Sequence, residues 1–104
     1  MSKEQSSPKS NQVAQTKDQI KIPGKYHVVF INDDFTPMDF VSKLLIDIFY
    51  HTPDTADELT RLIHDKGKAV VGTYSYEIAE QKSIECTTMA RSAGHPLQVT
   101  VEAE

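Results

Sequence analysis

Thr36-Pro37 and Thr52-Pro53 each set a hydroxyl side chain before a proline, and Gly67 and Gly94 each follow a long run of helix-forming residues. Threonine can cap free backbone N–H groups, proline lacks the N–H that the first helical position leaves unused, and glycine reaches the left-handed conformation that ends a helix. This punctuation divides a chain of 104 residues into short segments and leaves room for one small domain. The spacing predicts a helix from Pro37 to about His51, with Thr36 as its cap and Asp39 suited to the dipole at its start. A second helix runs from Pro53 to about Lys66, and a third, capped by Ser75, to about Ala93. Their apolar stripes are Val41, Leu44, Leu45, Ile48 and Phe49; then Ala56, Leu59, Leu62 and Ile63; then Ala79, Cys86, Met89, Ala90 and Ala93.

The remaining segments have strand character. Residues 25–31 (KYHVVFI) are largely β-branched and aromatic, the pattern of a strand buried on both faces. Residues 68–74 (KAVVGTY) form a second strand, and Pro96 to Val101 alternates Leu97, Val99 and Val101 with polar residues in a third. A small sheet must cover its apolar face, and three amphipathic helices can cover it. The expected fold is therefore α/β (α+β): a two-layer sandwich of a three-stranded antiparallel sheet on three helices, in the order β-α-α-β-α-β.

Residues 1–22 are different. They are rich in Ser, Gln, Lys and Asn, with no aromatic residue and no apolar period, so their burial cannot offset the entropy of ordering them. They are expected to form a flexible N-terminal tail before a core domain of residues 23–104; fully extended, the tail would reach about 70 Å. Lys3, Lys9, Lys17 and Lys21 against Glu4 and Asp18 give the tail +2, and −4 overall less +2 leaves −6 for the core. An acidic core argues against nucleic acid as a partner, because phosphate binding needs a basic face. A single cysteine, Cys86, excludes an internal disulfide and fits a reducing compartment. The first apolar run, Val28–Ile31, is too short for a signal peptide or a membrane span. The expectation is a cytoplasmic monomer that does not bind membranes.

The junction NDDFTPMDF, residues 32–40, places Asp33 and Asp34 side by side despite their mutual repulsion. Asn and Asp stabilise turns by accepting from nearby backbone N–H groups, which accounts for one acid. A metal site lacks support: Asp33, Asp34 and Asp39 do not follow calcium-loop spacing, and His27, His51, His64 and His95 do not follow zinc spacing. No metal or other cofactor is expected. Acid-base catalysis needs carboxylates facing a cleft, or an Asp–His pair beside a nucleophile, and no hydroxyl or thiol is marked out. The residues alone leave one enzymatic alternative, a small hydrolase using Asp33, Asp34 and His64. They also leave bland roles: His64 can complement a helix C-terminus, Met38 and Val41 can be core, and Cys86 can be inert packing.

The stretch NDDFTPMDFV closely resembles the N-D-D-[YF]-T-P-M-[DE]-F-V signature of the ClpS family of bacterial Clp protease adaptors. LIHDKGKAVVGTYSYEIAEQK is similar to that family's H-x-x-G-K-A-x-x-G segment followed by E-x-A-E-x-K, and GHPLQVTVE to its closing strand. The resemblance spans about residues 25 to 102. It implies a non-enzymatic adaptor that binds proteins beginning with Leu, Phe, Tyr or Trp and delivers them to the ClpA unfoldase of the ClpAP protease.

By the same resemblance, Asn32 and Asp34 accept hydrogen bonds from the substrate's α-amino group, Asp33 lies adjacent, and His64 assists from across the pocket. Ile31, Thr36, Met38, Val41, Thr60, Ile63 and Leu97 line the pocket for the first side chain. Glu77 and Lys82 contact the N-terminal domain of ClpA, and the tail reaches the unfoldase during delivery. The chain departs from the family at Thr60, where Met is frequent; the shorter residue implies relaxed discrimination against N-terminal Ile or Val. The chemistry agrees with the resemblance. An α-amine with a pKa of about 7.7 to 8.0 is mostly a cation with three donors at neutral pH, and it needs acceptors with a negative charge among them.

Overall fold

The computed structural model describes residues 24–104. The expected tail, residues 1–22, lies outside the described residues, as does the proposed start of the core domain at 23. The elements are β1 (Tyr26–Ile31), α1 (Met38–Asp47), α2 (Pro53–Lys66), β2 (Lys68–Tyr74), α3 (Tyr76–Ser92) and β3 (Gln98–Ala103). The strands form one antiparallel sheet in the order β2-β1-β3, so the order and class expected from the sequence are those observed.

The most continuously apolar strand, β1, is central. Val28 and Phe30 enter the core beside Leu44, Leu45, Val71, Cys86 and Leu97, while Val29 on the opposite face is also buried. Pairing with β2 shifts between Val28, opposite Gly72, and Val29, opposite Val70, which makes Val71 the extra residue of a bulge. The bulge places Val71 in the core. A side chain at Gly72 would come within 2.5 Å of the Tyr74 hydroxyl, so the bare backbone there makes room for that ring.

Helix α1 differs from expectation at both ends. It starts at Met38 with Pro37 in the cap position, and the Thr36 hydroxyl donates to Asp33 instead of capping. A carboxylate is a stronger acceptor than the alternatives nearby. The helix stops at Asp47, short of His51, and Tyr50 takes a positive φ of 61°. Its end is completed from outside by Lys82 of α3, whose ammonium donates to the Ile48 carbonyl at 2.6 Å. That ammonium also lies 5.6, 5.0 and 5.3 Å from the ring centres of Phe49, Tyr50 and Tyr74.

Helix α2 follows its signals closely. Thr52 accepts from the Thr55 N–H with Pro53 behind it, and Gly67 at φ 92° donates its N–H to Ile63. Leu62 and Met89 from the expected stripes are 42% and 39% exposed, Ala93 is exposed, and Leu59 is half-buried. The buried stripe of each of these two helices is narrow, Ala56, Thr60 and Ile63 for α2 and Ala79, Cys86 and Ala90 for α3. A residue one position off that stripe turns about 100° away. Ser75 precedes α3 without a side-chain cap bond, and α3 ends at Ser92. Strand β3 begins two residues later than Pro96, because the Arg91 guanidinium donates to the His95 and Leu97 carbonyls and holds that segment as a loop. Burial and the neighbouring Glu85 push the Cys86 thiol up to about 12, only partly offset by Lys82, which leaves it an inert packing residue. Among the described residues no helix is long and apolar enough to cross a membrane.

Candidate functional site

The end of β1 is tied directly to the end of α2. The Asn32 N–H donates to the Gly67 carbonyl at 2.8 Å, so the left-handed turn that stops α2 also fixes where the chain leaves the sheet. Asp33 then folds back on its own loop. One carboxylate oxygen accepts from the Phe35 and Thr36 N–H groups at 2.7 Å each, and the other accepts from the Thr36 hydroxyl at 2.8 Å. Burial works against ionisation of Asp33, but these hydrogen bonds and the nearby His95 outweigh it and hold its carboxyl below the usual carboxylate range. The group is an anion at neutral pH with acceptor capacity left on the oxygen that takes only one bond.

Beside this loop lies a hollow of about 270 Å³ including its open mouth. Ile31, Met38, Val41, Ile63 and Leu97 give it an apolar wall, joined by Thr36 and Thr60, and Asn32, Asp33 and His64 contribute the polar side. Val41, Thr60, Ile63 and Leu97 are buried and form a packed base, whereas Met38 is 49% exposed. The Thr60 hydroxyl donates to the Ala56 carbonyl at 2.7 Å, so its polarity is spent within α2 and its methyl group is left to act as wall.

The structure brings together all the expected pocket residues and three of the four expected amine acceptors. Asp34 is the exception: it is exposed and does not line the hollow. Successive side chains on extended backbone diverge, and the turn that draws Asp33 inward sends Asp34 to solvent. A signal was present in the sequence, since an Asp two and three residues before free N–H groups is the pattern of an Asx turn. Glu77 is exposed in the first turn of α3, away from the hollow, and Lys82 is engaged at the end of α1. Phe35, to which the sequence reading assigned no role, is 78% exposed in the same loop, next to Thr36, which lines the hollow, and to the exposed Asp34, which does not.

The hollow's two hydroxyls each donate within the protein, Thr36 to Asp33 and Thr60 to the Ala56 carbonyl, and Asp33 accepts from its own loop. Among the described residues no group of three or more His, Cys, Asp or Glu side chains is placed to hold a metal.

The model of the family described as ATP-dependent Clp protease adaptor protein ClpS matches residues 21–100. The ATP-dependent Clp protease adapter protein ClpS of Maricaulis maris is 42% identical over 89 residues, covering 86% of this chain and 82% of that protein. The Vibrio atlanticus protein of the same name is 41% identical over 99 residues, covering 95% and 93%. Among solved structures, Agrobacterium tumefaciens ClpS2 bound to L-phenylalaninamide superposes with a TM-score of 0.76 at 39% identity, over 79% of this chain and 99% of that one. The polar groups at the strand end, the apolar hollow beside them and these likenesses lead to the same conclusion: the chain belongs to the ClpS family of ATP-dependent Clp protease adaptors.

Proposed function

We propose that this chain is an adaptor that grips the free N-terminus of proteins beginning with Leu, Phe, Tyr or Trp and delivers them to the ClpA unfoldase of ClpAP. It would act as a monomer in the cytoplasm. The observation that carries the proposal is the adjacency of Asn32, Asp33 and His64 to the apolar wall of one hollow. Asp33 supplies the negative charge for the substrate ammonium, the place that the resemblance gave to Asp34. The ligand in the related ClpS2 structure, L-phenylalaninamide, has the same two parts, a free amine and an aromatic side chain.

The energetics suit a carrier that must release its cargo. Burying one Leu or Phe side chain contributes about 1.5 to 3 kcal/mol, and each charge-assisted hydrogen bond contributes about 1.5 to 3 kcal/mol. After the cost of association, affinity falls nearer micromolar than picomolar. Contact with the unfoldase is assigned to Glu77 and the face of α3 around Lys82, with the tail required for delivery. Because the Lys82 ammonium already serves Ile48, its contribution to that face is to hold the end of α1 in place.

Fluorescence anisotropy with a Phe-initiated peptide tests the proposal. Acetylation removes the charge and the donors of the terminal amine, and loss of a single charge-assisted hydrogen bond should already weaken binding about tenfold or more. Equal affinity for the free and acetylated peptides would eliminate the reading.

A further inference from the structure

We infer that Phe35 forms a second recognition position, which takes the side chain of the substrate's second residue and favours an aromatic or large apolar one. The inference rests on the reading that Asn32, Asp33 and His64 hold the α-amine. Three of the chain's four phenylalanines, Phe30, Phe40 and Phe49, pack in or against the core, whereas Phe35 is 78% exposed. Its backbone is nonetheless fixed. The Phe35 N–H donates to Asp33 at 2.7 Å, and Thr36 grips the same carboxylate through both its N–H and its hydroxyl. The ring is therefore displayed from a pinned turn, and a contact with it needs little further ordering of the protein.

Chain connectivity brings the second residue to this ring. Val41, Ile63 and Leu97 close the base of the hollow, so a peptide whose first side chain is inserted must continue out through the mouth. The next Cα lies only about 3.8 Å beyond the first. The amine meets the Asp33 carboxylate, and that carboxylate is itself bonded to the backbone of Phe35. The second side chain thus emerges beside Phe35, and the exposed Pro37 two residues on extends the apolar rim. Offset or edge-on packing against one ring corresponds to about a two- to tenfold change in affinity.

Anisotropy with the full chain tests the inference, using peptides that begin Phe-Trp and Phe-Gly but are otherwise identical. The wild type should bind the Phe-Trp peptide about two- to tenfold more tightly. Phe35→Ser should bring that ratio to about one, and Phe35→Tyr, which keeps the ring, should restore it. A ratio measured within one variant is unaffected by any misfolded fraction, since both peptides meet the same active protein. A wild-type ratio of one, or a ratio that survives Phe35→Ser, would overturn the inference. If the wild type binds acetylated and free peptides alike, the amine-binding reading falls and this inference falls with it.

Discussion

Replacing Asp33 by Asn tests where the negative charge of the site resides. The amide oxygen can still accept from the Phe35 and Thr36 N–H groups; the amide NH2 then faces the Thr36 hydroxyl, which can rotate to accept. The turn should survive at a cost of about 1 kcal/mol. Binding should suffer more, because a charge-assisted hydrogen bond to the ammonium contributes about 1.5 to 3 kcal/mol, and its loss is roughly a 10- to 150-fold weakening. Asp34→Asn is the matched control. A carboxylate about 8 Å from the ammonium across water contributes on the order of 0.5 kcal/mol, and physiological salt, with a screening length of about 8 Å, reduces that further. The expected effect at Asp34 is about twofold or less. Anisotropy with a Phe-initiated peptide at pH 7 measures both variants. A pH series adds a second readout: affinity for the wild type should fall above about pH 8 as the amine loses its proton, with a weaker dependence in Asp33→Asn. If Asp34→Asn causes the larger loss, or Asp33→Asn binds within about threefold of the wild type, the charge has been misplaced.

Thr60 should admit β-branched first residues: Val offers two more carbons than Ala, at about 0.8 kcal/mol each if fully buried, so Val- and Ile-initiated peptides should bind better than an Ala peptide. Titrations showing no such gain would refute this, and Thr60→Met should remove the gain by overfilling the wall at about 1 to 3 kcal/mol. Lys82→Met removes the donor to Ile48 and a cation beside three rings, with an expected loss of about 1 to 3 kcal/mol in urea unfolding; unchanged stability would show that the contact is idle. Asp33 ionises more readily when folded, so its contribution to stability is present above the unfolded value near 3.8 and is lost as the pH falls through the lower folded value. Asp33→Asn should therefore flatten the acid limb of the stability profile below about pH 4, and an unaltered limb would contradict the assignment.

The order of elements was legible because it rests on local signals. Proline and glycine at helix ends act within a few residues, and the period of apolar residues separates strands from helices. What stayed hidden depends on distant partners. The end of α1 is set by Lys82, 34 residues further on, which no periodicity within α1 could disclose. The exposure of Leu62 and Met89 follows from how α2 and α3 are rotated against the sheet, and amphipathic counting tolerates a neighbouring face. At the site, the apolar wall and the three remaining acceptors were named from a motif and found around one hollow, but the motif weighted Asp34 above Asp33. Which of two adjacent acids turns inward depends on where the loop's N–H groups point in the folded turn, and Asx-turn spacing alone only hints at it.

The place of β1 between two partner strands has a mechanical consequence. Asn32 follows directly on a strand bonded along both edges, so a tug on that residue in the strand direction is shared by two ladders loaded in shear. A peptide held at that residue and pulled along the strand would load both ladders at once and unzip neither from its end.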